Sequence, residues 1–487
     1  MTDIQTQLQN EIPQDALIVI DISAVVNIGS MDELQTLVDF IVERELPVAV
    51  TKSFYENYNV IMKSDNQEQK NLASKIWSLM SQLRDSGKLQ YADSIVSPIE
   101  IIEKLHKSKK VCFIYFEYSE FSESIQHFAD SLDCKAIVID RDGKIVLCTK
   151  REQILAYSRH AINLSLVGDE YFDINFQPKK GTTVFTEYGE PLILADQLGV
   201  GGEGAVYSCY NHPSYAAKIY HNGQLNKLRL TKIFRMVDKK IQYDGICWPE
   251  LVIYNNKKEP LGYVMKKIDG LPLELIIDGP EQILRYFPTW TKKNLVLLTL
   301  DILQKIQYLH LFGILIGDLR MRNIVIRKDG TPIIVDIDSC QIESLPSPAG
   351  DPDYTPPEMQ SVAFKKQLRT YYNENFSCSV LMFKLLFCGR HPYDQKYGSD
   401  TITEDIAKRA FPYPPTANGD YSKIPWGGYA SMWQYTPMQM QAFLYNIFKN
   451  GARYSLNEMI MMLKTYYQFL QMNPNAVGPN IIYFKYN

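Results

Sequence analysis

What this sequence lacks narrows the field first. No two of its eight cysteines form a C-x-x-C pair and their spacings are irregular. That sets aside zinc ribbons and disulfide scaffolds and points to a reducing compartment. No apolar run approaches the roughly 20 residues a membrane-spanning helix needs; runs such as residues 16–19 and 380–383 are far shorter. A surplus of positive charge is missing too. Against 51 Lys and Arg stand 55 Asp and Glu, a net charge of −4, so no global basic field draws the chain to nucleic acid or anionic lipid. The opening MTDIQTQLQNEIPQD lacks the basic-then-apolar order of a signal peptide. Internal repeats and long low-complexity tracts are absent. The expectation is a soluble, cytoplasmic, globular protein. At 487 residues, 46% of them hydrophobic, it is too long for one ordinary core and suits two or three domains.

The first third alternates short apolar runs with helical spacing. Residues 16–20, 47–51, 111–116 and 136–139 read as strands. Residues 31–43, 67–83 and 120–131 read as helices, the first with Leu34, Leu37, Val38 and Ile41 on one face. This alternation predicts an α/β domain with a parallel sheet over about residues 1–172. A Gly-, Pro-, Lys- and Thr-rich junction follows at 173–190. Strands dominate to about Lys267, and helices dominate after Glu281 apart from a strand-rich stretch at 324–342.

Three clusters in the later part carry chemistry. In Leu198-Gly-Val-Gly-Gly-Glu-Gly-Ala-Val-Tyr207, Gly199, Gly201 and Gly204 fit G-x-G-x-x-G, with Gly202 between them and Val206 two residues on. Such glycines let backbone N–H groups approach phosphate oxygens. A dinucleotide site shares the spacing, but it demands a helix directly after the loop and an acid about twenty residues later. Here residues 205–209 read as strand and no acid follows until Asp238. Instead Ala216-Ala-Lys218-Ile-Tyr220 places an ammonium inside an apolar strand, where it needs an anion such as a phosphate; a snorkelling edge lysine is the plainer alternative. The second cluster sets Asp318 and Asn323 five residues apart between a helix and a strand, with Arg320 between them. A carboxylate there suits orienting a hydroxyl and taking its proton, and an amide oxygen suits a hard cation. The third, Pro332-Ile-Ile-Val-Asp336-Ile-Asp338-Ser, delivers Asp336 at the end of a strand. Each aspartate alone would read as a turn residue; the ordered set does not.

Together these motifs resemble the protein-kinase superfamily, nearest in pattern to its bacterial Ser/Thr branch, over roughly residues 191–472. The resemblance implies an α+β two-lobed fold, with a small lobe at about 191–268 and a large lobe at about 269–472. It implies ATP with Mg²⁺ or Mn²⁺ as cofactors, and Ser/Thr of a protein, or of the chain itself, as acceptor. By resemblance Lys218 meets the phosphates, Asp318 is the catalytic base, and Arg320 lies near the transferred group. Asn323 and Asp336 would hold metal. Gly199, Gly201, Gly202, Gly204, Val206 and Ala216 would line the nucleotide, and Met265, Lys266 and Ile268 look like the hinge at the adenine. Pro356-Pro-Glu358 looks like the end of the activation segment, with Arg453 as its ion-pair partner.

The sequence departs from that pattern in four places. Between Gly204 and Glu250 there is no glutamate, so the helix expected at 226–237 lacks the usual partner of the strand lysine; Asp238 lies near the required distance. Ile316-Gly317-Asp318 lacks the arginine that reads activation-segment phosphorylation, which also bears on whether Ser344, Ser347, Tyr354 or Thr355 acts as a switch. The metal motif is Asp-Ile-Asp. Glu374 or Asn375 stands where an aspartate braces the catalytic loop. The retained lysine, aspartates and asparagine favour an active, unconventional kinase, with a nucleotide-binding pseudokinase as the alternative.

In the first third, acids follow the strands: Asp21, Glu56 in the next helix, Glu117 with Glu120, and Asp140 with Asp142. Asp21, Glu56, Glu117 and Asp140 are candidates to converge on a divalent metal, an arrangement similar to PIN-like nucleases. Nucleic acid would be a partner only on that reading. Asp21-x-Ser23 is also similar to the metal site of von Willebrand A domains, although Val25 stands at a ligand position. An α/β interaction domain with solvated acids, regulating or serving the kinase or a partner, is the plainer reading. His106, His127 and His160 show no ligand spacing. The aromatic-rich end, residues 473–487, is expected to pack on the body.

Overall fold

The computed structural model describes residues 3–92, 97–158, 170–415, 419–473 and 482. Its first layer is a six-stranded sheet: β1 (Leu17–Ile20), β2 (Val48–Thr51), β3 (Leu89–Ala92), β4 (Val111–Phe116), β5 (Lys135–Ile139) and β6 (Ile145–Cys148). The strand order is β3-β2-β1-β4-β5-β6, with β1 to β5 parallel and β6 antiparallel to β5. Every residue of β4 is buried, as a central parallel strand covered on both faces requires. Alternate residues serve separate cores. Cys112, Ile114 and Phe116 join one cluster, while Val111, Phe113 and Tyr115 join the other, the two-residue period of a strand. The N-terminal region therefore has the parallel sheet with helices read from its alternation.

The second layer is a closed antiparallel barrel of six strands: β7 (Thr183–Thr186), β8 (Pro191–Val200), β9 (Gly204–Cys209), β10 (Tyr215–Tyr220), β11 (Leu251–Tyr254) and β12 (Pro260–Lys266). β7 falls in the stretch expected to be junction. It pairs with β8 and β11, and the buried Val184 and Thr186 alternate with the more exposed Thr183 and Phe185. Four residues were too short a run to stand out among the turn formers around them.

Seven helices carry the rest of the story: α1 (Ile22–Asn27), α2 (Lys52–Ile61), α3 (Glu120–Gln126), α4 (Lys227–Lys239), α5 (Lys292–Leu311), α6 (Tyr371–Leu386) and α7 (Leu456–Met472). Helices α5 and α6 are the buried centre of the large lobe. The first hydrophobic cluster runs without a break from the N-terminal sheet into these helices. Polar contacts tie the same seam. Asn27 Nδ2 donates to Leu311 O at 2.7 Å, Ser64 Oγ lies 2.9 Å from Tyr308 Oη, and Lys464 of α7 pairs with Glu56 of α2. The sheet is thus built onto the back of the large lobe rather than linked loosely to it. All eight cysteines are buried and free, and no helix among the described residues is long and apolar enough to cross a membrane.

Candidate functional site

The cleft between barrel and helices gathers the three motif clusters. The glycine loop joins β8 to β9, and its glycines differ in kind. A Cβ on Gly204 would lie 2.4 Å from the carbonyl oxygen of Ile219, so close packing on β10 dictates that glycine. At Gly199 and Gly202 a Cβ would meet nothing within 4 Å, and at Gly201 only Gly204 O at 4.0 Å. These three are the ones free to border a ligand. Glu203 at the loop tip accepts from Arg229 of α4 at 2.6 Å, which ties the loop to that helix. Val206 sits opposite Lys218, and Ala216 opposite Met265, in the barrel register. Met265 and Lys266 are still paired residues of β12, so of the expected hinge only Ile268 lies beyond the strand.

Lys218 has two carboxylate partners. Its Nζ lies 2.5 Å from Asp336 Oδ1 and 2.6 Å from Asp338 Oδ1. Asp338, only 1% exposed, also accepts from the hydroxyls of Tyr263, at 2.9 Å, and Tyr220. Burial opposes the charge on Asp338, but Lys218, the Tyr220 hydroxyl and Arg229 outweigh it and hold the carboxyl below its ordinary range. Burial likewise opposes the ammonium of Lys218, and the two aspartates overcome it and raise its pKa. The helix α4 supplies no partner. Asp238 is in its last turn, and the buried carboxylate on Lys218 comes instead from Asp338. The same helix buries Lys232, whose Nζ donates to Pro346 O at 3.2 Å and whose pKa burial pulls down to about 8. Asp338 stood in the quoted motif without a role. The signal that marked it was an acid two residues after Asp336, where the familiar Asp-Phe-Gly pattern has glycine.

Asp336 adopts a left-handed backbone conformation, with φ of 56°, uncommon for a residue with a Cβ. Its side chain is 50% exposed, so one edge stays open to the cleft. Asp318 is buried and held by two neighbours. Asn323 Nδ2 donates to the Asp318 carbonyl at 2.9 Å and to its Oδ2 at 3.2 Å, and Arg320 reaches Oδ2 at 2.9 Å. The loop's backbone is fixed by α6. Glu374, not Asn375, accepts from Ile316 N at 2.6 Å and Gly317 N at 2.9 Å.

Gly317 stands where the usual arginine would be. A Cβ on Gly317, with φ of 72°, would lie 2.3 Å from Ser347 Oγ, so the chain packs directly where a side chain would stand. Arg369 reaches this spot from beyond the activation segment. It donates to Ala349 O at 2.6 Å, stacks 4.3 Å from the Phe364 ring, and its backbone is gripped on both sides by the Gln341 amide. Ser347, Tyr354 and Thr355 are buried. Arg369 and Ser347 thus hold the segment against the backbone at Gly317. Glu358 and Arg453 pair at 3.5 Å, as the resemblance implied.

The four N-terminal acids are not brought together. Asp21 accepts from Ser23 N at 3.2 Å and caps α1. Glu56 is paired with Lys464. Glu117 accepts from Arg141 N, and burial pushes it up to about 7. Asp140 accepts from Asp142 N and Lys144 N in its own turn. Among the described residues no group of three or more His, Cys, Asp or Glu is placed to hold a metal. His106 is buried against the Ile102 carbonyl, and His160 lies outside the described residues, as do Tyr483, Phe484 and Tyr486. One N-terminal acid not singled out earlier does face the large lobe: Glu123 accepts from Tyr371 N at 2.8 Å and Tyr372 N at 3.3 Å, at the start of α6.

This geometry agrees with comparison to known proteins, in which residues 193–450, more than half of the chain, match the protein kinase domain. The chain belongs to the protein kinase family. Two curated kinase relatives are similar to part of it. Protein kinase YegI of Escherichia coli K12 is 29% identical over 223 residues, covering 44% of this chain and 34% of the relative. Protein kinase YegI of Escherichia coli O157:H7 is 28% identical over 219 residues, covering 43% and 34%. The match thus spans about a third of the length of these kinases.

Proposed function

We propose that this chain is an ATP-dependent Ser/Thr protein kinase acting on a protein acceptor or on itself. The observation that carries the reading is the seat of Lys218. Its partner Asp338 stands in for the missing helical glutamate, so the lysine remains positioned at the cleft, and the departure that most favoured a pseudokinase loses its force. The residues suit the implied cofactors. Gly199, Gly201 and Gly202 border open space at the cleft, and Asp336 keeps a half-exposed carboxyl near Asn323, a hard oxygen pair for Mg²⁺ or Mn²⁺. Bound ATP and metal would supply the phosphoryl group and neutralise its charge. Asp318 orients the acceptor hydroxyl and takes its proton, with Arg320 and Asn323 fixing the carboxylate. Lys218 holds the phosphates, and Glu374 keeps the loop in register.

For the N-terminal region we infer a bracing role. Glu123 secures the start of the helix whose Glu374 grips the catalytic loop, which supports regulation of the kinase rather than a separate PIN-like chemistry. The test is incubation with γ-labelled ATP and Mg²⁺ or Mn²⁺, beside casein, followed by phosphoamino acid analysis. Asp318→Asn should keep nucleotide binding and lose labelling. Labelling that survives in that variant would remove the assignment. Binding without labelling in the unmodified protein would select the pseudokinase reading.

A further inference from the structure

The order of the N-terminal sheet reverses between β1 and β4, and in open α/β sheets the crevice beyond the carboxyl ends of such strands is where ligands bind. Here that crevice faces the kinase large lobe. A recess of about 30 Å³ lies there, lined by Asp21, Asn57 and Glu120 on one side and by Gln307 of α5 and Asn457 of α7 on the other. His310, whose Nε2 faces Glu374 at 3.3 Å, and three serines complete the polar lining. Asn57 and Gln307, 7% and 3% exposed, each carry a buried amide oxygen with no partner. Gln307 Nε2 donates to Asn457 Oδ1 at 2.5 Å, which leaves its oxygen as the group without a bond. Of the serines lining the recess, Ser23 donates to Asp21, Ser119 donates to the Phe116 carbonyl at 2.7 Å, and Ser53 shares a hydrogen bond with Thr51. Two carboxyls and two orphan amide oxygens therefore line one small space.

An unpaired buried acceptor destabilises a fold, so a site with several calls for a common partner. Two carboxylates with two amide oxygens are the hard ligand set of a divalent cation, and their charge balances one. The recess has room for about one water. That favours an ion that accepts mostly protein oxygens in irregular geometry, such as Ca²⁺, over Mg²⁺, which keeps its hydration shell. We propose that Asp21, Asn57, Glu120 and Gln307 form a site for a hard divalent cation of the Ca²⁺ or Mn²⁺ class, which fastens the N-terminal sheet to the kinase large lobe. The site is independent of the nucleotide cleft and needs no ATP.

The experiment is calorimetric titration of the full chain, stripped with a chelator and free of nucleotide, with Ca²⁺ and separately with Mn²⁺, beside melting curves. One equivalent should bind and raise the melting temperature. Glu120→Gln should weaken binding by roughly tenfold or more, because ligand charge sets affinity in such sites. Asn57→Asp should tighten it, which guards against a variant that merely misfolds. Asp336→Asn, in the kinase cleft, should leave it unchanged. Absence of binding, with no gain in Asn57→Asp, would mean that a water fills the recess and would overturn the proposal. Binding that follows Asp336 instead of Glu120 would overturn it too.

Discussion

Asp338→Asn is the substitution that tests the site most sharply. It keeps the shape of the side chain and one acceptor for the tyrosine hydroxyls, and it removes the buried charge facing Lys218. The lysine side chain is 7% exposed, and stripping a buried ion pair of one partner typically destabilises by about 3–5 kcal/mol. Asp336 remains 2.5 Å from the ammonium, which places the expected loss near the lower end, about 3 kcal/mol. If that energy also served to position Lys218 in the transition state, kcat/KM should fall about a hundredfold, at 1.36 kcal/mol per tenfold. The readouts are chemical denaturation and labelling from γ-labelled ATP, with Asp338→Glu as a partial rescue. The deficit should be flat through neutral pH. Asp338, held low, gives its stability above about pH 3.9 and loses it only as pH falls through its depressed folded value. Lys218, held high, gives its share below about pH 10.4 and loses it as pH rises through its raised one. A variant with unchanged melting and activity within about threefold of the parent, far inside the hundredfold expected, would refute the claim that Asp338 replaces the helical glutamate.

Three further outcomes follow from distances. Gly204→Ala should destabilise the small lobe and depress nucleotide binding, because its Cβ would meet the Ile219 carbonyl at 2.4 Å, whereas Gly199→Ala, with nothing within 4 Å, should leave melting unchanged; equal melting shifts would contradict this. Glu123→Ala should lower stability by about 1–2 kcal/mol through loss of the acceptor for the first two amides of α6 and reduce kcat more than the KM for ATP, as steady-state kinetics would show. Glu117, pushed up to about 7 by burial, binds a proton in the folded chain at pH values where the unfolded carboxyl, near about 4.3, does not. Stability should therefore fall as pH rises from about 4.3 toward 7, and Glu117→Gln should flatten that slope in denaturant melts at stepped pH.

The sequence by itself determined the elements whose signals are local. Glycines at fixed spacing, a lysine inside an apolar strand, and Asp318 with Asn323 between a helix and a strand each state their chemistry within a few residues. The alternation of strands and helices announced the N-terminal parallel sheet for the same reason. Tertiary structure alone decided which charges meet. The partner of Lys218 lies 120 positions away, so neither the absence of a glutamate in α4 nor the proximity of Asp238 in sequence could settle it. Glu374 and Asn375 are neighbours in the chain, but successive positions on a helix point about 100° apart, and the accepting carboxylate of Glu374 is the one directed at the loop. The acids after the N-terminal strands looked alike in sequence. Folding gave Asp21, Glu56, Glu117 and Asp140 four separate partners, and it turned Glu120 and Glu123 toward the large lobe, because the hydrophobic cluster shared by sheet and helices fixes which end of the sheet is covered. Spacing along the chain encodes local geometry, whereas the pairing of buried charges depends on packing between segments far apart in sequence.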